Sequence, residues 1–168
     1  MRVVRVLSTA FFCLAWVPAL AAQAMPEGPA AEKPRPQGYT FFGVSSAAGE
    51  LPGLLNLGGG GEGFIHKGLA AGGDITYLFP NTSFGNGIGI ASGNLSYHFQ
   101  GLDSNRRWIP FVTGGYSLGF RSGTTGLVNY GGGVTYWFRP RWGARLEVRN
   151  HQNPGVSVVA FRFGLSFR

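Results

Sequence analysis

Three carboxylates, Glu62, Asp74 and Glu147, and three guanidiniums, Arg145, Arg149 and Arg162, stand out in a chain of few ions. Only 12% of its residues are charged, against about 25% in ordinary soluble domains. Side chains of these types can exchange protons, line an ion path, or neutralise one another in a place without water. Arg145, Glu147 and Arg149 occupy alternate positions, so a strand would present all three on one face. The other candidates for chemistry are weaker. His66, His98 and His151 do not have the spacing of a metal set. Gly58, Gly60 and Gly63 match G-x-G-x-x-G but do not open a helix after a strand, and packing against bulky neighbours explains them better than phosphate binding. No cofactor is expected.

The elements that must position these ions are strands. Val128, Tyr130, Gly132, Val134, Tyr136 and Phe138 form one apolar row. Trp142, Ala144, Leu146 and Val148 form a second, and Val159, Phe161, Phe163, Leu165 and Phe167 a third. The positions between them carry Gly, Thr, Asn, Ser and the ions. This is period two, the mark of a strand with unlike faces. The non-apolar face lacks the Lys and Glu of a water-exposed sheet. Small polar side chains inside and apolar ones outside describe a barrel that meets lipid.

Length and composition agree with one domain. The first residues carry Arg2 and Arg5, then an apolar run from Val6 to Leu20, then small residues. This reads as a secretory signal over residues 1–24, cleaved after Ala22 or Ala24. Cys13, the only cysteine, lies within the run, so disulfide and thiol chemistry are excluded from the mature chain. Arg2 and Arg5 leave with the signal, which takes the formal charge from +7 to +5. The remaining cations are scattered, with no stripe interleaved with stacking aromatics, so nucleic acid is not expected as a partner. Basic turns such as Arg106-Arg107 and Arg139-Pro140-Arg141 suit anionic headgroups.

Residues 25–38 read as an exposed, Pro-rich leader, and 39–168 as the barrel. Five further strands precede the three rows: Tyr39 to Ala47, Leu54 to Ile65, Leu69 to Phe79, Gly87 to Phe99 and Trp108 to Phe120. Turn chemistry separates them at Glu50 to Gly53, His66 to Gly68, Pro80 to Gly85, Gln100 to Arg107, Arg121 to Gly126 and His151 to Gly155. The fold class is therefore all-β, an eight-stranded antiparallel up-and-down transmembrane barrel. The strands approach the roughly nine to eleven tilted residues that cross a bilayer. Three segments end alike, in Tyr77-Leu78-Phe79, Tyr97-His98-Phe99 and Tyr136-Trp137-Phe138. Tyr77, Phe79, Tyr97, Phe99, Tyr136 and Phe138 are the expected aromatic girdle.

Tyr130-Gly-Gly-Gly-Val-Thr-Tyr-Trp-Phe138, followed by Trp142-Gly-Ala-Arg-Leu-Glu-Val-Arg149, resembles the bacterial outer-membrane beta-barrel domain superfamily. These are the small eight-stranded barrels similar to the OmpA transmembrane domain. The resemblance covers residues 39 to 168. It implies both termini on the periplasmic side of a bacterial outer membrane, after export to the periplasm. It implies outer-membrane lipids and the barrel-assembly machinery as partners. Phe163, Leu165 and Phe167 resemble the assembly signal, with Arg168 after it. Some such barrels are lipid A deacylases with a His-x-Ser pair. Here the stretch is His151-Gln152-Asn153, with no later acid, so an enzyme is not expected.

Buried ions must pair, so Glu62, Asp74, Arg145, Glu147, Arg149 and Arg162 are expected to form a lumen network. Glu147 would meet Arg162 or Arg145 across strands. His98 is placed near a rim, and Arg121 could face the lumen mouth. Three functions follow: a structural envelope barrel with a filled lumen, a narrow channel or carrier of small hydrophobic molecules, and a soluble lipocalin-like barrel holding an apolar ligand. The direction of the aromatic rows separates the first from the third.

Overall fold

The computed structural model describes residues 35–47, 53–100 and 107–168. The expected signal, most of the leader, Glu50 to Pro52 and the polar stretch over 101–106 lie outside them. Eight strands follow in order: β1 (Gln37–Ala47), β2 (Leu54–His66), β3 (Leu69–Pro80), β4 (Ile88–His98), β5 (Trp108–Phe120), β6 (Thr124–Arg139), β7 (Trp142–Asn153) and β8 (Val156–Phe167). Each pairs antiparallel with its neighbour, and β8 returns to β1 to close the barrel. Closure leaves no strand edge unpaired, which a hydrocarbon environment requires.

One row of paired residues fixes the stagger. It runs Gln37, Glu62, Gly72, Asn94, Gly115, Asn129, His151 and Val158, and re-enters β1 at Ala47, ten residues beyond its start. A stagger of that size tilts eight strands by roughly 40° and sets the backbone about 8 Å from the axis. That radius is filled by side chains. Opposite the lumen ions stand glycines. A Cβ on Gly60 would lie 2.6 Å from that of Asp74, one on Gly72 would lie 2.7 Å from that of Glu62, and one on Gly133 would lie 2.9 Å from the Phe111 ring. The backbone gives up side chains where Asp74, Glu62 and Phe111 need the volume.

The apolar rows point outward. Phe161 is 56% exposed and Phe163 53%, whereas Arg145 and Glu147 on the inner face are 3% and 4% exposed. This orientation overturns the soluble lipocalin-like reading, since the aromatic rows that would line an apolar binding cavity face outward and the ions face inward. An apolar wall this extensive is a surface that water does not tolerate.

Several boundaries differ from those read in the sequence. β1 begins at Gln37, inside the expected leader. β6 begins at Thr124 and β7 runs through Asn153, so residues 124–126 and 151–153 are strand, not turn. The chain reverses at Pro154-Gly155. Near the rims the outward positions become polar, as at Asn150 and Gln152, and the alternation that betrays a strand fades. The β2–β3 turn is tight. Gly68 adopts φ +90° there, a conformation that favours glycine.

Candidate functional site

The site is the lumen, and parity builds it. On each strand the inward residue is every second one, so Glu62 comes from β2, Asp74 from β3, Arg145, Glu147 and Arg149 from β7, and Arg162 from β8. All six are buried. Three acids face three arginines, so the interior ions balance. They are the only acidic side chains among the described residues.

The network has two lobes joined through Glu147. Toward the end where the chain enters and leaves, Arg145 Nη1 lies 3.1 Å from Glu62 Oε1 and its Nε 3.1 Å from Glu147 Oε2. Gln37 Nε2 donates to Glu62 Oε1 at 2.6 Å. Deeper, Arg149 Nε meets Glu147 Oε1 at 2.6 Å, and Arg149 Nη1 donates to Asp74 Oδ2 at 2.6 Å. Arg162 Nη1 stands 3.6 Å from Glu147 and 3.8 Å from Asp74, at ion-pair rather than hydrogen-bond range. Glu147 therefore meets Arg162 across strands, as their register dictates. Arg145 meets it along one strand, two residues away, and not across strands.

Aromatic rings wall the arginines in. The Arg145 guanidinium lies between the Phe111 ring, 3.9 Å away, and the Tyr39 ring, 4.3 Å away. Arg162 sits 4.4 Å from the Phe41 ring. Such contacts favour a desolvated cation. Sequence reading did not single out these rings. Their signal was available, since Phe111 alternates with the outward Val112 and Gly114 row and so must point inward.

Two histidines line the lumen. His98, the last residue of β4, lies near a rim as expected and is buried there, its backbone N–H donating to Gly68 in the β2–β3 turn, its Nε2 3.1 Å from Glu62 Oε2 and its ring stacked on Phe111. His151 is interior β7, not turn. Arg162 Nη2, a donor only, faces His151 Nε2 at 3.1 Å, so the ring proton resides on Nδ1. That Nδ1 points at Ser117 Oγ, 3.2 Å away, which also accepts from Asn129 Nδ2 at 2.8 Å and meets Ser92 Oγ at 2.9 Å. A serine beside a histidine suggests a nucleophile and base. Here the histidine donates to the hydroxyl and cannot take its proton, and Ser117 is fully buried.

The girdle candidates face outward in two groups. Tyr77 and Phe79 stack, and Phe84 packs on both at one end of the barrel. Tyr97 and Phe99 lie edge to face at the other end, where Tyr136 packs on Trp108 and Phe138 is exposed. Trp108 and Trp142 join this second group, although the sequence reading placed them in strands without assigning them to the girdle. Phe163, Leu165 and Phe167 also face outward, on β8. Arg121 is exposed at the first end and donates to Asn86 Oδ1.

No protein-family profile matches the chain, and no curated protein matches it in sequence. Its fold is nonetheless found among solved structures. The N-terminal β-barrel domain of Pseudomonas aeruginosa OprF superposes with a TM-score of 0.55 at 16% identity, over 79% of this chain and 96% of that one. Neisserial surface protein A gives 0.54 at 15% identity, over 79% and 94%. Ail, the attachment invasion locus protein of Yersinia pestis, gives 0.54 at 10% identity, over 79% and 95%. At such identities the likeness establishes the architecture, which is that of these small closed barrels.

Proposed function

We propose that this chain is a small barrel protein of a bacterial outer membrane, with a structural role in the envelope and no enzymatic activity. The observation that carries the reading is the inverted wall. Large apolar side chains clothe the outside, and balanced ions fill the inside. A twelve-residue strand at this tilt rises about 30 Å, enough to cross the apolar band of roughly 25 Å. The solved barrels of like fold include the N-terminal β-barrel domain of OprF and Neisserial surface protein A, a surface protein by name, which supports the address.

In this reading the outer-membrane lipids contact the outward rows, and the assembly machinery takes the β8 edge with Phe163, Leu165 and Phe167. The termini and the β2–β3, β4–β5 and β6–β7 connections face the periplasm. A narrow channel is the second reading, favoured by the unbroken run of polar groups from Gln37 to Ser92. Membrane fractionation with heat-modifiable gel mobility tests the first reading, and a chain that stays in the soluble fraction after export would overturn it. Planar-bilayer recording tests the second. Steady single-channel currents would replace the filled barrel with a pore.

A further inference from the structure

Asn150 and Gln152 on β7 are the only amide side chains on the outward rows of the eight strands. They belong to a hydrogen-bonded chain of four outward residues drawn from three strands. Ser157 Oγ donates to Asn150 Oδ1 at 3.1 Å, Asn150 Nδ2 to Tyr130 Oη at 2.8 Å, and Tyr130 Oη to Gln152 Oε1 at 3.1 Å. Every bond runs the same way round. Ser157 has given its hydrogen and keeps acceptor lone pairs, while Gln152 has engaged its carbonyl and keeps the two N–H groups of Nε2. Among the described residues nothing accepts from that Nε2. Gln152 and Ser157 are register partners, so the open donors and the open acceptor stand side by side.

The quartet starts inside the apolar band. Asn150 lies eight residues along β7 from Trp142, about 20 Å up the wall at a tilt near 40°, and the band is roughly 25 Å tall. Followed round the ring, Asn150 pairs with Tyr130, then Gly114, Leu95 and Ala71. Phe79, eight residues above Ala71 on β3, stands about 8 Å higher than Asn150 once the stagger is taken off. Toward the termini from the quartet the wall is dented. Phe42, Val44, Leu146, Val148, Phe161 and Phe163 rim an apolar groove of about 470 Å³ across β1, β8 and β7. Val148 is the outward residue next to Asn150, and it pairs with Phe161, so groove and quartet are continuous.

We infer that groove and quartet together bind one lipid whose acyl chain is amide-linked and hydroxylated, the chemistry of lipid A. Such a site deepens the membrane reading above and rests on it, since that reading turns this end of the barrel to the external leaflet. The groove takes the acyl chain. The open donor and acceptor take the linkage, because an amide or a hydroxyl offers one of each. An ester-linked phospholipid presents acceptors alone at that depth and leaves Ser157 unmatched, where an unmatched polar atom is costly. The outward rows of β7 and β8 carry no ion, so the recognised part is the linkage and not a phosphate.

The full chain, folded in detergent micelles, is mixed with equal amounts of lipid A and phosphatidylethanolamine, and native mass spectrometry counts the lipid retained. Heat-modifiable mobility first confirms that each variant is folded. The site requires one lipid A per chain, retained severalfold over phosphatidylethanolamine, and the same retention for lipid A stripped of both phosphates. N150L/Q152L keeps the wall apolar and should lose most of the preference. V148W fills the groove and should lose it too, while L118W, outward on β5, keeps it. Equal retention of the two lipids, a preference unchanged in N150L/Q152L or in V148W, or one that disappears with the phosphates overturns the site and leaves the membrane reading intact. A chain that stays folded and soluble without detergent overturns both.

Discussion

Arg149 and Asp74 meet at 2.6 Å from strands that lie four apart in either direction around an eight-strand ring. Their contact therefore spans the lumen diameter. Two side chains that touch across the axis divide the lumen at that level. Removing Arg149 strands Asp74 and part of Glu147 in a place where an unpaired ion is expensive. We expect Arg149→Ala to lower stability by about 3–5 kcal/mol, measured as a reduced urea midpoint for the heat-modifiable form. Arg149→Met with Asp74→Asn should cost less than the two single changes summed, because neither partner is then left charged alone. Additive losses would mean that the pair does not act as a unit.

The lumen rings give a second expectation. Phe111 is almost fully buried, lies 3.9 Å from the Arg145 guanidinium and stacks on His98. Phe111→Ala opens a cavity and removes a face from a desolvated cation. A loss of about 3–5 kcal/mol is expected, with Phe111→Leu losing less. The check is again the urea midpoint in one lipid composition. A neutral Phe111→Ala would show that the wall collapses onto Arg145 without help from the ring.

Much of this was legible in the sequence, for a physical reason. A strand's period of two sorts residues onto faces without knowledge of their partners, so Arg145, Glu147 and Arg149 fall together, and Glu62, Asp74 and Arg162 fall on the same inner surface. Which ion meets which is another matter. Arg145 and Glu62 are 83 positions apart, and Arg149 and Asp74 are 75. Those meetings depend on the stagger of all eight strands, which local pattern does not encode. His151 shows the other limit. It keeps the inward parity of Arg145 and Arg149, yet its neighbours Asn150, Gln152 and Asn153 look like turn residues, and the outward polar pair hides the strand. The Ser117 contact to His151 joins β5 to β7 and was invisible for the same long-range reason.

Glycines on the two faces should respond in opposite ways. A Cβ at Gly60 would lie 2.6 Å from the Cβ of Asp74, inside the lumen, whereas one at Gly93, on the outer wall, meets nothing within 4 Å. Gly60→Ala is expected to cost about 1–3 kcal/mol through overpacking. Gly93→Ala should be neutral or stabilising by about 0.4–1 kcal/mol, because its backbone is not in the left-handed region and the unfolded chain loses freedom. Both are read from equilibrium unfolding in the same bilayer. Equal losses would contradict the assignment of faces.

The sharpest test of that assignment uses one residue type at two depths of the same strand pair. Phe161 is outward and 56% exposed, next to Arg162, which is inward and almost fully buried. If lipid covers the outer wall, Phe161→Arg places a cation in hydrocarbon and should cost about 2–4 kcal/mol near the mid-plane. Trp142→Arg, on the neighbouring strand at the arginine-rich rim, reaches headgroups instead and should cost about 0–1 kcal/mol beyond the loss of its ring packing on Phe167. In water the order would reverse, since an exposed Phe161→Arg would be benign. Folding yield and urea midpoint of the two variants in phosphatidylcholine vesicles decide the matter. A Phe161→Arg barrel as stable as the parent would show that the apolar wall does not face lipid.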